Sequence, residues 1–237
     1  MATTDIAAII PTRHGSKGLS DKNLRTVEGV TLLEIAVRQA LRVMGSAYVI
    51  TDSVTHAEIA RAAGAEAIVT PFEVADGALP EDQERWAIEN SDFFRPYASV
   101  CRLFVTHPLR SDADILRGVG LHRETGETVV STSRAEYREH QVLMRQKGDR
   151  SKNAPYHPRS SNPRRPRQDV QPPDTYLVGC FYLATVESFL RYAFWPPRGL
   201  IPSPVPSLRA LDVDSLSDLE RVRMLWKVRV QLEGLGL

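Results

Sequence analysis

Cysteine is nearly absent: two residues, Cys101 and Cys180, stand 79 positions apart in a chain of 237. There is no Cys-x-x-Cys and no Cys/His cluster at zinc spacing. A disulfide framework and a structural zinc module are therefore excluded, and two lone cysteines in apolar segments read as reduced, buried thiols. Long apolar runs are missing too, since no stretch reaches the roughly 18 residues a membrane span requires. The start, Met1–Ile10, passes from two threonines and an aspartate straight into a short apolar run, without the basic segment and long apolar core of a secretory signal. A soluble cytoplasmic protein is the expectation. An excess of one charge is lacking as well. The 30 Lys+Arg and 29 Asp+Glu leave a formal net charge of +1, which excludes a whole-protein field strong enough for non-specific nucleic-acid binding. Any anion site must be local. Lysine itself is scarce, with Lys17, Lys22, Lys147, Lys152 and Lys227 the full set, and the first two fall in one short segment.

What is present is an ordinary globular composition, 42% hydrophobic and 25% charged, in a chain long enough to bury a large core without staples. Short apolar or β-branched runs alternate with amphipathic segments through the first half, the pattern of a mostly parallel sheet covered by helices. Ile6–Ile10 reads as the first strand. Thr31–Val43 carries a helical stripe at Leu32, Leu33, Ile35, Ala36, Val37, Ala40 and Leu41. Strands follow at Ala47–Ile50 and Ala67–Val69, separated by a helix over Thr55–Ala63. Ser99–Val105 is a continuous apolar strand except for Arg102, and Ser111 is placed to cap a helix running to His122. Thr128–Thr132 adds a strand.

Beyond Val142 the texture changes. Eleven of the 16 prolines lie past residue 154, and Arg150–Pro173 mixes five arginines with six prolines, which excludes a regular helix or a central strand there. A linker, a lid or an arm ordered by a partner all fit such a stretch. The sheet resumes at Val178–Leu183, and a last strand over Leu208–Val213 leads into a helix from Ser215 to about Leu232.

The chemistry concentrates after the first strand, in Pro11-Thr12-Arg13-His14-Gly15-Ser16-Lys17-Gly18-Leu19-Ser20-Asp21-Lys22-Asn23-Leu24. A loop at the carboxyl end of a first strand lies at the ligand crevice of an α/β sheet. Glycines 15 and 18 let backbone amides approach an anion, while Arg13, Lys17 and Lys22 bring three cationic heads. By composition this is a phosphate-binding loop, although it fits neither G-x-x-x-x-G-K-[ST] nor G-x-G-x-x-G. Near the other end, Asp212 and Asp214 alternate on the expected strand, so that both carboxylates face one side and can share a hard cation with phosphates. Ser215 is better placed than either to cap the helix that follows, with Asp218 as a partner for its N-terminal dipole.

These residues resemble the cytidylyltransferases that make CMP-sialic acid and related CMP-activated sugar acids. Arg13-x-Gly-Ser-Lys-Gly with Lys22-Asn23-Leu24 is similar to that family's N-terminal signature. Thr51-Asp52-Ser53 resembles its S-T-D, Thr70-Pro71-Phe72-Glu73-Val74-Ala75-Asp76 its R-P-x-E-L-A-x-D, and Thr106-His107-Pro108-Leu109-Arg110 the tail of Q-P-T-S-P-L-R. Arg167-Gln168-Asp169 is similar to R-Q-D/Q, and Leu211-Asp212-Val213-Asp214 to D-I-D. The resemblance implies one domain over 1–237 with a three-layer α/β, nucleotide-diphospho-sugar transferase-like (Rossmann-like) fold. It also implies a mixed central sheet and an inserted segment at about 140–176 serving as a dimerisation arm of a homodimer. It further implies Mg²⁺-dependent attack of an acceptor oxygen on the α-phosphate of CTP, with loss of pyrophosphate. Arg13, Gly15, Ser16, Lys17, Lys22, Asn23 and Asp76 would then hold nucleotide, Asp212 and Asp214 the metal. Arg13, Lys17 and Asp214 would act on the reacting phosphate.

The acceptor side departs from the pattern. Phe104 stands where the family has the glutamine, His107 where it has a serine, and Tyr176-Leu177-Val178-Gly179 where it has Y-R-x-N-G. Loss of these hydrogen-bonding groups removes specificity for a polyhydroxy acid. Cationic groups remain, in Arg102, Arg110 and the arginines at 159, 164, 165 and 167, and guanidinium suits a compact dianion. A small phosphonate, bound by Phe104, Thr106, His107, Arg110, Arg165 and Arg167, is the expected acceptor, with a sugar acid as the alternative. Phosphonate also offers an ionised oxygen that needs no general base. Thr70 replaces an arginine of the pattern, and Gly77-Ala78-Leu79-Pro80 a Ser/Thr-rich stretch, so cytosine selectivity rests on the resemblance alone. A non-catalytic nucleotide-binding module is the competing class, disfavoured by retention of both aspartates. Nucleic-acid binding through the Arg/Pro arm lacks aromatics other than Tyr156.

Overall fold

The computed structural model describes residues 5–15, 19–75, 79–134, 143–145, 156–158 and 175–234. In chain order these form β1 (Ile6–Thr12), a 3₁₀ turn at Lys22–Leu24, β2 (Thr26–Val27), β3 (Val30–Thr31), α1 (Leu32–Met44), β4 (Tyr48–Thr51), α2 (Val54–Ala62) and β5 (Glu66–Val69). There follow α3 (Phe72–Ala75), α4 (Pro80–Glu89), a 3₁₀ turn at Asp92–Phe94, β6 (Ser99–Leu103), α5 (Asp112–Thr125) and β7 (Thr128–Arg134). The remainder is β8 (Leu143–Arg145), β9 (Tyr156–Pro158), β10 (Thr175–Thr185), α6 (Val186–Tyr192), β11 (Leu200–Pro204) and α7 (Leu216–Gly234).

Seven strands make one sheet in the order β11-β7-β10-β6-β1-β4-β5. Only β10 runs against its neighbours, pairing antiparallel with both β6 and β7, while β1, β4, β5, β6 and the β7–β11 pair are parallel. The expected mixed three-layer α/β fold is what forms. Apolar side chains cover both faces. On one, Leu33, Val37 and Met44 of α1 pack with Ile115 and Val119 of α5 and Leu219 and Val222 of α7; on the other, Ala87 and Ile88 of α4 pack with Phe94, Phe189 and Phe194. Each large side chain so buried contributes about 1.5–3 kcal/mol.

Local signals agree with the elements. Thr31 and Glu34 exchange hydrogen bonds in a capping box that starts α1, and Ser111 with Asp114 does the same for α5. Ser215 and Asp218 form the equivalent reciprocal pair before α7, the Asp218 amide donating to Ser215 Oγ at 3.2 Å and the Ser215 amide to Asp218 Oδ2 at 2.9 Å. Cys101 and Cys180 are free and buried, and burial pushes both thiols up to about 12.

Two expectations are corrected. Leu208–Val213 is not a strand: Ser207–Ala210 turns and 211–214 is irregular. The outermost strand is instead β11, in which Pro202 and Pro204 sit on an edge, where a missing N–H costs no ladder bond. Within the Pro/Arg-rich stretch, Tyr156–Pro158 is extended, but it pairs only with β8 in a separate ribbon and does not enter the sheet. The other residues of that stretch lie outside the described ones.

Arg102, on β6 and 2% exposed, is not a free cation. Its Nε donates to Glu84 at 2.7 Å and its Nη1 to Glu81 at 2.8 Å, while Nη2 completes a bidentate contact with Glu84. The guanidinium also faces the Phe194 ring at 4.6 Å and the Phe104 ring at 5.4 Å. Burial pushes the Glu84 carboxyl up to about 7 against the pull of Arg102. Replacing Arg102 by Leu should leave a buried carboxylate unpaired and cost about 3–5 kcal/mol in urea unfolding, more than Glu84→Gln.

Candidate active site

Parallel strands β1, β4 and β6 deliver their following loops to one edge of the sheet, and β10, running the other way, begins there. The loop after β1 opens with Arg13, His14 and Gly15, all exposed, and Gly15 adopts φ +74°, a conformation that glycine takes without strain. Ser16, Lys17, Gly18 and Asp76 lie outside the described residues, as do Arg165 and Arg167 of the expected acceptor set. Lys22 starts the 3₁₀ turn, with Asn23 beside it buried at 7% exposure.

Although 211–214 is not a strand, it presents its carboxylates as an alternating segment would. Val213 is fully buried and its amide donates to the Thr106 carbonyl at 2.9 Å, so that Asp212 and Asp214 flank an anchored residue. Asp214 Oδ1 meets Lys22 Nζ at 2.8 Å. Asp212 Oδ1 stands 3.8 Å from His107 Nδ1. Burial, then the charge of Asp214, raises the Asp212 carboxyl above its ordinary value, against a hydrogen bond from Thr106 and the charge of Lys22. Two carboxylates close enough to disturb one another, with a single lysine between them and the phosphate loop, form a donor pair suited to a hard cation that also takes phosphate oxygens. Among the described residues no group of three or more His, Cys, Asp or Glu forms a closed cage.

His107 is buried at 3% exposure, and burial together with Arg110 and Lys22 depresses it to about 3. It is neutral at working pH, so its approach to Asp212 is not an ion pair. Thr106 Oγ1 lies 3.3 Å from the same Nδ1. Arg110, expected to face an acceptor, is instead buried behind the loop: Nη1 donates to the carbonyls of His107 at 3.2 Å and Cys180 at 3.3 Å and to that of Phe104. Burial lowers it to about 10.

Phe104 is in place beside the mouth, its ring T-shaped on Tyr182 at 5.2 Å, and Tyr182 in turn meets Trp195 at 5.6 Å. Gly179 makes this wall possible, since a Cβ there would come within 2.9 Å of His107 Cε1 and 3.4 Å of Phe104 Cγ. On the β4–β5 side, Thr70 Oγ1 lies 3.3 Å from the Thr51 carbonyl and 3.4 Å from Gln83 Oε1.

Several contributors had no signal in the sequence. Glu81 and Glu84 lie on a helix whose apolar pattern is weak; Asp52 is singled out only within Thr51-Asp52-Ser53, with no role attached, and its Oδ1 accepts the His14 amide at 2.7 Å. A groove of roughly 730 Å³ between α1, the β2–β3 hairpin, residues 108–113 and α7 shares only Arg110 with this set. Its arginines are tied in pairs, Arg42 to Asp112 at 2.5 Å, Arg209 to Asp114 at 2.9 Å and Arg38 to Glu34 at 3.3 Å, which marks a salt-bridged seam.

A mixed seven-stranded sheet with a glycine-containing cationic loop after its first strand and an acidic pair across from it defines a nucleotidyltransferase-like α/β protein. The comparison with known sequences is more specific: residues 7–175 match the family described as Cytidylyltransferase, and the chain belongs to that family. A curated relative, the N-acylneuraminate cytidylyltransferase of Escherichia coli O18:K1:H7, is 34% identical over 137 residues, 56% of this chain. The match spans 32% of that longer relative. Among solved structures, a CMP:2-keto-3-deoxy-manno-octonic acid synthetase complexed with CTP superposes with TM-score 0.70 at 18% identity, covering 94% of this chain and 98% of that one. A 4-diphosphocytidyl-2C-methyl-D-erythritol synthase from Anaerococcus prevotii superposes with TM-score 0.63 at 10% identity, covering 94% and 98%. These two share the fold.

Gly179→Ala should force His107 or Phe104 aside and cost about 1–3 kcal/mol of stability. Combined with His107→Ala, which clears the space, the loss should fall well short of the sum of the two single variants in a denaturation cycle. Additivity would show that Gly179 and His107 are not in contact.

Proposed function

We propose that this chain transfers CMP from CTP to a small acidic acceptor, with release of pyrophosphate, and that the acceptor is a phosphonate. The observation that carries the reading is the tethering of Asp212 and Asp214 to Thr106, opposite Lys22 and the loop after β1, in a member of the cytidylyltransferase family. In-line displacement at the α-phosphate asks for placement and charge neutralisation rather than covalent chemistry. Arg13, Gly15, Ser16 and Lys17 hold the triphosphate, and Lys22, Asn23 and Asp76 contact the nucleotide. Asp212 and Asp214 would hold Mg²⁺, which supplies charge neutralisation at the phosphates when bound. Lys22 Nζ donates to Asp214 Oδ1 at 2.8 Å, so the lysine that contacts the nucleotide and the carboxylate that would hold the cation are paired.

The acceptor reading rests on chemistry at the wall. Phe104 and Gly179 offer no side-chain hydrogen bond to a polyhydroxy acid, and His107, buried behind them, is not open to one. An ionised phosphonate oxygen attacks without a base. Since Arg102 is paired with Glu81 and Glu84 and Arg110 is buried behind the loop, the cationic partners of that anion are Arg165 and Arg167, carried by an arm that we assign to a homodimer contact. A sugar acid is the second reading, favoured by the relative named N-acylneuraminate cytidylyltransferase.

Incubation with CTP, Mg²⁺ and a panel of small phosphonates and nine-carbon sugar acids, followed by phosphorus NMR, should yield a new CMP adduct with a phosphonate. An adduct with sugar acids alone would establish the second reading, and exclusive use of UTP or ATP would overturn cytidylyl transfer. Lys17→Ala and Asp214→Asn should each lower turnover by about a hundredfold or more while leaving the thermal melt unchanged. Undiminished turnover in Lys17→Ala would sink the loop assignment.

A further inference from the structure

The loop after β1 is read here as the triphosphate cradle, yet its described part is exposed on every residue and carries a carboxylate next to it. Asp52 follows β4, whose last residue Thr51 stands in register with Thr12 at the end of β1. Asp52 Oδ1 accepts the His14 amide at 2.7 Å across 38 residues of sequence. No other side chain of the described residues hydrogen-bonds the backbone of Arg13, His14 or Gly15. A negative group at this position is electrostatically adverse to a bound triphosphate, so its presence calls for a compensating role.

The surroundings of Asp52 show what that role is. Its own backbone is braced: the Ser53 amide donates to Thr51 Oγ1 at 3.1 Å, and Ser53 Oγ accepts the His56 amide at 3.3 Å to start α2. From the first turn of α2, His56 Nδ1 lies 3.1 Å from Thr12 Oγ1. Burial holds His56 below its ordinary value, so this second tie is a neutral hydrogen bond. The segment 51–56 is thus a stiff bracket that grips the exit of β1 at two points, Thr12 and His14. Beyond His14 comes Gly15 in the left-handed region, where the chain turns. A carboxylate is a stronger acceptor for a backbone N–H than a neutral group, and here it sets the direction in which the loop leaves the sheet.

We propose that Asp52 is a positioning residue for the phosphate loop: its carboxylate oxygen fixes the His14 amide, pre-shaping the loop for a triphosphate, and its charge is a tolerated cost of that hydrogen bond. The proposal rests on the triphosphate reading of the loop given above. It separates hydrogen bond from charge, and two substitutions do the same. Asn at 52 keeps an acceptor oxygen at the same place and removes the charge. Ala removes both.

The test measures CTP binding calorimetrically without divalent cations, and amide hydrogen exchange of the peptide spanning residues 11–15, in wild type, Asp52→Asn and Asp52→Ala. Asp52→Ala should bind CTP about tenfold to a hundredfold more weakly and exchange the His14 amide faster by a similar factor, with the thermal melt little changed. Asp52→Asn should keep wild-type exchange at His14 and bind CTP as tightly as wild type or a few-fold more tightly. A merely structural role would not produce this rescue. If Asp52→Asn is as weak as Asp52→Ala, the charge is what matters and the proposal is overturned, as it is if Asp52→Ala changes neither readout. A wild type that binds no CTP would remove the function proposed above, and the exchange comparison would still decide whether Asp52 holds the loop.

Discussion

A buried guanidinium holds the functional edge of the sheet from behind. Arg110 sends Nη1 to main-chain carbonyls at Phe104, His107 and Cys180, which fastens the loop after β6 to the middle of β10. The same loop receives the Val213 amide at Thr106. Asp212 and Asp214 reach the mouth because Val213 is anchored, and Val213 is anchored because the Thr106 carbonyl is held in one place. The Arg110 carbonyl itself takes Gln39 Nε2 at 3.0 Å, so α1 is bound into the arrangement. The clamp ties 104–111 and 180 together beyond the β6–β10 ladder, and 211–214 joins them through Val213.

The fate of the arginines follows one rule. Those nearest the core carry out structural work on backbone carbonyls or carboxylates: Arg110 as above, Arg102 with Glu81 and Glu84, and Arg209 bidentate on Asp114 at 2.9 Å from each nitrogen. A guanidinium presents several donors in a plane, which lets Arg102 and Arg209 each hold a carboxylate with two nitrogens. Lys22, a point charge on a flexible stem and partly exposed, is left at the mouth in a contact with Asp214 that a ligand can exchange.

How much of this could be read beforehand depended on whether the signal was local. The cap at Ser111, the stripe of α1 and the cationic loop after β1 are written in consecutive residues and were legible. Asp212 and Asp214 were legible as a pair, although for an imperfect reason: the expected strand is irregular chain, and alternation survives because the buried residue between them is tied by one hydrogen bond. β11 was missed because Pro202 and Pro204 argue against a strand, an argument that lapses at a sheet edge. Arg102 was misjudged as a cation near the acceptor because its partners lie 18 and 21 residues away on α4, a helix of weak apolar periodicity. Long-range pairing of that kind leaves no trace in a window of sequence.

The same distinction bears on acceptor chemistry. A hydroxyl nucleophile would need a base that can accept its proton at working pH, and His107 meets that need in charge state, being held neutral. It does not meet it in access, since it is 3% exposed with Nδ1 turned toward Thr106 and Asp212. Opening it to solvent would require displacement of Phe104, which is itself packed on Tyr182, or of the backbone at Gly179. An acceptor whose attacking oxygen is already ionised would ask of His107 only that it stay neutral. The depression of its proton affinity by burial, Arg110 and Lys22 has that effect. His107, expected from the sequence to bind the acceptor, therefore stands in the folded protein as an uncharged spacer between an aromatic wall and an acidic pair.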